Sequence, residues 1–411
     1  MTQNMLARLG RMRRTTALRH RGFRLLWTAT LLSSTARWAD VVVVAWLTLE
    51  LTESPLMVGV VAGSKMAGYI VAPFMGVAAD RMDRRQLLII AALVNWVVSF
   101  VMLLLILFGG LTVAHIIGLA VVSSLTWALD APTRQAFVPD LVDREDLTNA
   151  IALIAVATEL TVVIGPALGG ILIPTFGIGG AYGLIAGIYF VDLLVLFLMK
   201  RVKQSISEVR ESPGRSLING LRYVRGNQTV LVLLVIAFLL NLLAAPYRYS
   251  FLPPFARYIL DAGPTGYGML TSMAGFGALL AGLWVVSMGN FKRKGRLVVL
   301  GGLAWPASLL LFAMSTSYDL SLALVFMAGL TQAITWTLIA TLILGNTAQP
   351  MRGRVMGLRT GVVISLPFGN LLAGVGAERF GAPVALGAYA VSALIIMLAI
   401  VLLFPSLRRL E

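Results

Sequence analysis

No cysteine occurs anywhere in the chain, which excludes disulfides, thiol nucleophiles and Cys-ligated metals. Histidine is nearly absent too. His20 and His115 stand far apart in sequence, with no ligand spacing around either, so both read as interfacial polar residues and no metal or other cofactor is expected. A phosphate-cradling G-x-x-x-x-G-K-[ST] loop is missing, which argues against work driven by this chain's own ATP hydrolysis and against an enzyme. Charge is scarce: only 12% of residues are charged, about half the roughly 25% of a soluble domain. Acidic residues are scarcest, 18 against 33 Lys and Arg, which leaves a net charge of +15.

What fills the chain instead is apolar: 58% of residues are hydrophobic and the mean hydropathy is +0.88. Many runs reach the length of about 20 residues that a bilayer core requires, so the solvent for this surface is lipid. Spans are expected near 23–49, 56–79, 86–108, 113–135, 147–173 and 181–199, and again near 229–252, 265–289, 297–315, 320–345, 357–378 and 384–404. The fold class is therefore all-α integral membrane, with 12 transmembrane helices in two six-helix bundles. The expected division is a tail at 1–22, a bundle at 23–199, a central loop at 200–228, a second bundle at 229–404 and a tail at 405–411. The basic N-terminus leads into a long apolar run without a small-residue cleavage site, and reads as a retained first span rather than a signal peptide.

The basic excess is a topology signal. All but five of the 33 Lys and Arg fall in loops and tails that share one side if both termini are cytoplasmic, as the positive-inside rule requires. Nucleic acid, which wants a clustered water-facing basic patch, is excluded as a partner. The expected location is the plasma (cytoplasmic) membrane, crossed many times, and the expected state is a monomer. Paired six-helix halves around a midplane site are a recurrent transporter architecture. Within the central loop, Ser216 to Arg225 has the pattern of a short amphipathic helix.

Several motifs stand in order along the chain. Gly76-x-x-x-Asp80-Arg81-x-Asp83-Arg84-Arg85 joins the second and third spans, and Asp130-x-Pro132-x-Arg134 closes the fourth. Arg144-Glu145-Asp146-Leu147, Gly220-Leu221-Arg222-Tyr223, Pro253-x-Phe255-Ala256-Arg257 and Arg352-Gly353-Arg354-Val355 follow. On these residues the chain resembles the major facilitator superfamily, in its twelve-helix drug:proton antiporter and siderophore (enterobactin-type) exporter branch. Asp83 stands where the superfamily loop usually has Gly, and the matching loop of the second half, Asn290 to Arg296, has lost its acid. The resemblance implies that Gly76, Asp80, Arg81, Arg84 and Arg85 latch the halves on the cytoplasmic side. Asp130 and Arg134, spaced i, i+4 and hence on one helix face, are expected to join that gate. Gly165-Pro166-x-x-Gly169-Gly170 in the fifth span resembles the superfamily's antiporter motif. Its glycines permit close helix approach and Pro166 removes a hydrogen bond and favours a bend.

Ionisable residues deep in a span are costly and face a cavity or a partner. Arg37 and Asp40 (first span), Lys65 (second) and Glu159 (fifth) qualify. Counting helical rise puts Arg37 and Glu159 about 20 Å from the inner side, and Asp40 and Lys65 about 14 Å from the outer side. The expectation is two pairs, Arg37 with Glu159 and Asp40 with Lys65, in one neutral network, with Asp40 or Glu159 carrying a proton; a permanently paired structural quartet is the competing reading. Asp192 in the sixth span reads as packing or interfacial. Arg248, near the outer end of the seventh, is expected either to meet an anionic substrate or to snorkel to headgroups. Asn241, Gln332 and Asn370 are neutral polar candidates for substrate contact, and Trp127, Trp305 and Trp336 are candidates for stacking on it. The leading expectation is a secondary carrier that exports a small molecule (drug, macrolide or siderophore class) against protons. The alternatives are an uptake carrier and a non-transporting sensor or scaffold.

Overall fold

The computed structural model describes residues 16–71, 82–202, 213–288 and 292–410. Helices follow one another with short links. They are α1 (Arg21–Thr52), α2 (Pro55–Met66, continuing to Val71), α3 (Arg84–Leu107), α4 (Val113–Leu141) and α5 (Leu147–Phe197). After the linker helix α6 (Pro213–Gly226) come α7 (Gln228–Leu243, prolonged to Ile259 by π-turns), α8 (Gly263–Ser287) and α9 (Lys294–Ala313). The chain ends with α10 (Tyr318–Gly345), α11 (Arg352–Gly361 and Ser365–Phe380) and α12 (Ala382–Leu403). Among the described residues, nine helical stretches are long and apolar enough to cross a membrane. They include neither α1, which carries Arg37 and Asp40 in its middle, nor α2, whose described part is short.

Local chemistry fixes several helix starts. Ser54 accepts from the Met57 N–H at 3.3 Å ahead of Pro55, Asp83 from Gln86 at 3.2 Å and Asn227 from Val230 at 3.2 Å. Each such cap stabilises a helix by about 1 kcal/mol. The linker helix expected over 216–225 is present within α6, which packs on α11. A Cβ on Gly220 would sit 3.2 Å from Leu358 and 3.4 Å from the Arg354 carbonyl.

Three spans depart from their expected extents. The fourth, expected to close at 135, runs through Pro132 and Pro139 to Leu141, because its late charges are paired: Arg84 bonds Asp140 across to α3. The fifth and sixth, expected as separate runs, form one 51-residue stretch broken only at Gly177, which has φ 68° and ψ 173°. That region of backbone space is essentially reserved for glycine. The seventh continues past 252 through the π-turns Tyr247–Phe251 and Phe255–Ile259.

The surface is apolar like the core, and the core also admits polar groups. Ile90, Leu93, Val97 and Phe100 of α3 and Ile395, Leu398 and Leu402 of α12 are exposed, while Thr30, Ser33, Asn95, Thr126, Ser250 and Asn370 are buried. An apolar exterior around a core that holds polar groups is what a lipid solvent selects.

Two ends can be told apart: a basic end, holding Arg84, Arg85, Arg144, Arg225 and Arg296, and a far end, holding Pro55, Gly177, Gly263 and Phe380. The halves meet towards the far end. A Cβ on Gly59 of α2 would lie 2.6 Å from the Gly374 Cα of α11, and one on Gly268 of α8 would lie 2.8 Å from the Gly170 Cα of α5. Backbones this close tolerate no side chain. Hydrogen bonds follow the same seam: Ser272 Oγ donates to Val163 O at 2.7 Å, Arg257 to Leu49 O at 3.1 Å, and the Ser54 hydroxyl to Glu378 at 2.9 Å.

Candidate functional site

The interior of the first half is organised by α1. From it Arg37 Nη2 reaches Asp130 of α4 at 2.9 Å, and Arg134 Nε meets the other oxygen of the same carboxylate at 2.9 Å. The remaining Arg134 nitrogens donate back to α1, to Thr30 Oγ1 at 3.1 Å and Ser33 Oγ at 2.9 Å. One carboxylate thus holds two guanidiniums in a buried setting, where losing it leaves two charges without a counter-ion. Asp130 and Arg134 do share a face, as their spacing indicates. Their described bonds, however, tie α4 to α1 of the same half rather than to the second half.

The expected Arg37–Glu159 pair does not form. Matching depth along the axis ignores direction around it, and Arg37 points to α4. The Asp40–Lys65 pair does form, joining α1 to α2, and Tyr182 of α5 donates to Asp40 Oδ1 at 3.1 Å. Lys65 is buried and borders a narrow cleft with Val41, Val58, Val61 and Tyr249.

Between the halves lies an aromatic row. Tyr69 of α2 sits 6.5 Å from Trp127 of α4, Trp127 stands edge-on to Trp38 at 6.1 Å, and Trp38 stacks on Tyr249 of α7 at 6.5 Å and 16°. Arg37 lies over Trp127 at 5.4 Å, and Arg248 over Trp38 at 5.8 Å and Tyr247 at 6.0 Å. Such cation–π contacts are worth about 2 kcal/mol each when desolvated. Arg248 is therefore turned inward and buried, not snorkelling, and its Nε has no hydrogen-bond partner among the described residues. Glu159, exposed on α5, lies within electrostatic reach of Arg248. The middle of the fold thus gathers two cations and stacked rings, with one acid in electrostatic reach of Arg248.

The remaining candidates divide. Gly76, Asp80 and Arg81 lie outside the described residues. Arg84 binds Asp140, and Arg85 donates to Phe197 O at 2.9 Å, both within the first half. Gly165 and Gly169 pack on α1, where their Cβ atoms would lie 2.5 Å from Trp38 Cβ and 2.6 Å from Ala39 O, whereas Gly170 faces α8. The helix passes Pro166 without a non-helical residue. Asn370 is fully buried and spends its amide on Ser250 (2.7 Å) and Leu366 O (2.9 Å), so it joins α7 to α11 instead of offering a substrate contact. Trp305 is fully buried and unavailable for stacking on a ligand. Gln332 accepts from Tyr247 at 3.5 Å, Asn241 is buried with Nδ2 unpartnered, and Trp336 lies under Arg359 at 5.6 Å. At the basic end His20 meets Asp146 at 2.9 Å, with Arg19 supplying the counter-charge at 3.1 Å.

One feature escaped the sequence reading, and one was read only as packing or interfacial. Trp38, Tyr69, Tyr182 and Tyr249 are ordinary aromatics by position, although the run Tyr247-Arg248-Tyr249 inside an apolar span was a signal. Asp192 is only 1% exposed, and neither carboxylate oxygen has a hydrogen-bond partner among the described residues. An acid alone in an apolar run was its signal.

Two apolar-clad helical halves, closed at one end around a charged and aromatic centre, define a membrane transporter of the major facilitator type. Solved structures agree on that fold. The nucleoside transporter NupG has a TM-score of 0.75 at 12% identity, covering 93% of this chain and 98% of that one. A bacterial homologue of the human lysosomal transporter Spinster, inward-facing and unoccupied, has a TM-score of 0.71 at 13% identity, covering 94% and 95%. The family model described as transmembrane secretion effector matches residues 14–411, and the chain belongs to that family. Its relatives include the enterobactin exporter EntS of Shigella boydii serotype 18, 27% identical over 316 residues, which are 76% of this chain and 72% of the relative. The same exporter of Escherichia coli O1:K1 matches over the same shares at 27% identity.

Proposed function

We propose that this transporter exports a small molecule of the drug, macrolide or siderophore class across the cytoplasmic membrane in exchange for protons. The observation that carries the reading is the seam: the halves join backbone to backbone towards the far end, beyond a centre lined by Arg37, Arg248, Glu159 and stacked rings. With twelve spans and both termini cytoplasmic, as the basic loops indicate, this is the cytoplasm-open form of an alternating-access carrier. Named enterobactin export by its relatives favours outward transport. Substrate enters from the cytoplasm and stacks on Trp38 and Trp127, with Arg248, Asn241, Gln332 and Trp336 as the second-half contacts.

Protons compete through the carboxylates. Glu159 faces the centre, and Asp40 is held by Lys65 and Tyr182. A carboxylate that gains or loses a cationic partner changes its affinity for a proton, which is the exchange an antiporter needs. The loop at Gly76, Asp80, Arg81, Arg84 and Arg85 acts as the cytoplasmic latch. Gly165, Pro166, Gly169 and Gly170 keep α5 close to both α1 and α8 as it tilts. One monomer completes the pathway.

The test is efflux of a substrate panel, siderophore-class compounds included, from vesicles carrying an imposed pH gradient. Gradient-dependent depletion is expected. Accumulation would reverse the direction, and gradient-independent movement of every transported compound would remove proton exchange.

A further inference from the structure

Asp192 has no place in the scheme above, yet its surroundings are those of a working group. It lies on the returning limb of α5, buried, with both oxygens unpartnered among the described residues. Arg134 and Asp130 of α4 and Arg37 of α1 are all within electrostatic reach, and so is Tyr189 one turn back on α5. The other elements packed on α5 add little charge there. The charged residues of α3 are Arg84 and Arg85, bound to Asp140 and to the Phe197 carbonyl; α8 has none; Arg19 is taken by Asp143 and Asp146.

An ionised carboxylate with no partner in such a place is costly, and it is relieved either by a proton or by a guanidinium. Both nearby guanidiniums are held by Asp130. We infer that Asp192 is a proton-binding residue of this transporter, protonated while Asp130 holds Arg37 and Arg134, and competing with Asp130 for them once its proton leaves. In that step the carboxyl O–H bond breaks, the proton passes to water and the electron pair stays on Asp192. The new charge draws a guanidinium from Asp130 and loosens α4 from α1. Proton release is thereby converted into a change of helix packing inside the first half. The inference rests on the proton-exchange reading for its role in transport, but not for the chemistry of the cluster.

The experiment uses the full chain purified in detergent and needs no substrate. Infrared difference spectra between acidic and alkaline buffer report protonated carboxyl groups. Wild type is expected to lose a carboxylic-acid C=O band on alkalinisation, Asp192→Asn to lack that band, and Asp192→Glu to show it displaced. Should Asp192→Asn fail to fold, Asp130→Asn answers the same question: its freed guanidiniums turn to Asp192, and the band disappears at a less alkaline pH. A wild type without the band, the same band in Asp192→Asn, or an unmoved midpoint in Asp130→Asn overturns the inference. Wild-type gradient-driven transport of any compound by Asp192→Asn in vesicles overturns it as well. A band that behaves as expected in a chain whose transport ignores the gradient would sink the proton-exchange reading alone.

Discussion

The two halves share an architecture but solve the problem of a polar interior differently. The first half buries Lys65, Asp130, Arg134 and Asp192, together with the nearly buried Arg37 and Asp40. In the second, Arg248 is the buried charge among the described residues, and the interior is joined by neutral groups such as Ser250, Asn370, Thr331 and Thr335. Neutral hydrogen bonds are modest and independent, whereas paired buried charges are strongly coupled: each partner is tolerable only while the other is present. On the proposed reading, the first half is the one that changes state and the second the one that holds shape.

That contrast can be broken at its strongest point. Replacing Asp130 and Asp192 together by Asn strips Arg37 and Arg134 of both carboxylates, and should destabilise the purified protein by about 3–5 kcal/mol. Thermal unfolding in detergent measures it, and a loss no larger than that of a neutral site would remove the contrast. The seam comes next. Gly268→Leu drives a side chain into the Gly170 backbone, where even a Cβ meets Pro166 O at 2.6 Å, and overpacking of this kind costs about 1–3 kcal/mol. The same variant should splay the far end, seen as a longer distance between spin labels on cysteines introduced there; the cysteine-free chain confines the labels to the chosen sites. The smallest effect is expected in the second half. Ser250→Ala removes a single neutral donor from Asn370 and should cost about 1 kcal/mol, again read by thermal unfolding.

Much of the fold was legible because lipid leaves no ambiguity about long apolar runs, and the basic loops mark one end. Legibility failed where helices carry charge. The stretch from Ala136 to Leu141, with Pro139 and Asp140, reads as a loop, yet Arg84 reaches across to Asp140 and the helix runs through it. Pro253 to Ile259 reads as an exit from the membrane, but the helix carries on through the π-turn Phe255–Ile259. In the site, depth along the axis could be counted while direction around it could not. Asp40 was matched to Lys65 correctly, Arg37 was matched to the wrong acid, and Asp192 was read as packing or interfacial without the charged cluster beside it.

The contact between Gly170 and Gly268 also sets a length scale. From Gly170 back to Leu147, where α5 begins at the basic end, are 23 residues, a lever of about 35 Å at the helical rise. Because the fulcrum is backbone on backbone, a rigid rocking motion there wastes no travel on compressible side chains. A turn of about 15°, the size seen in subunit rotations, would carry the basic end of α5 through about 9 Å. In such a motion a gap the width of a small aromatic molecule would open or shut while the pivot stays nearly still.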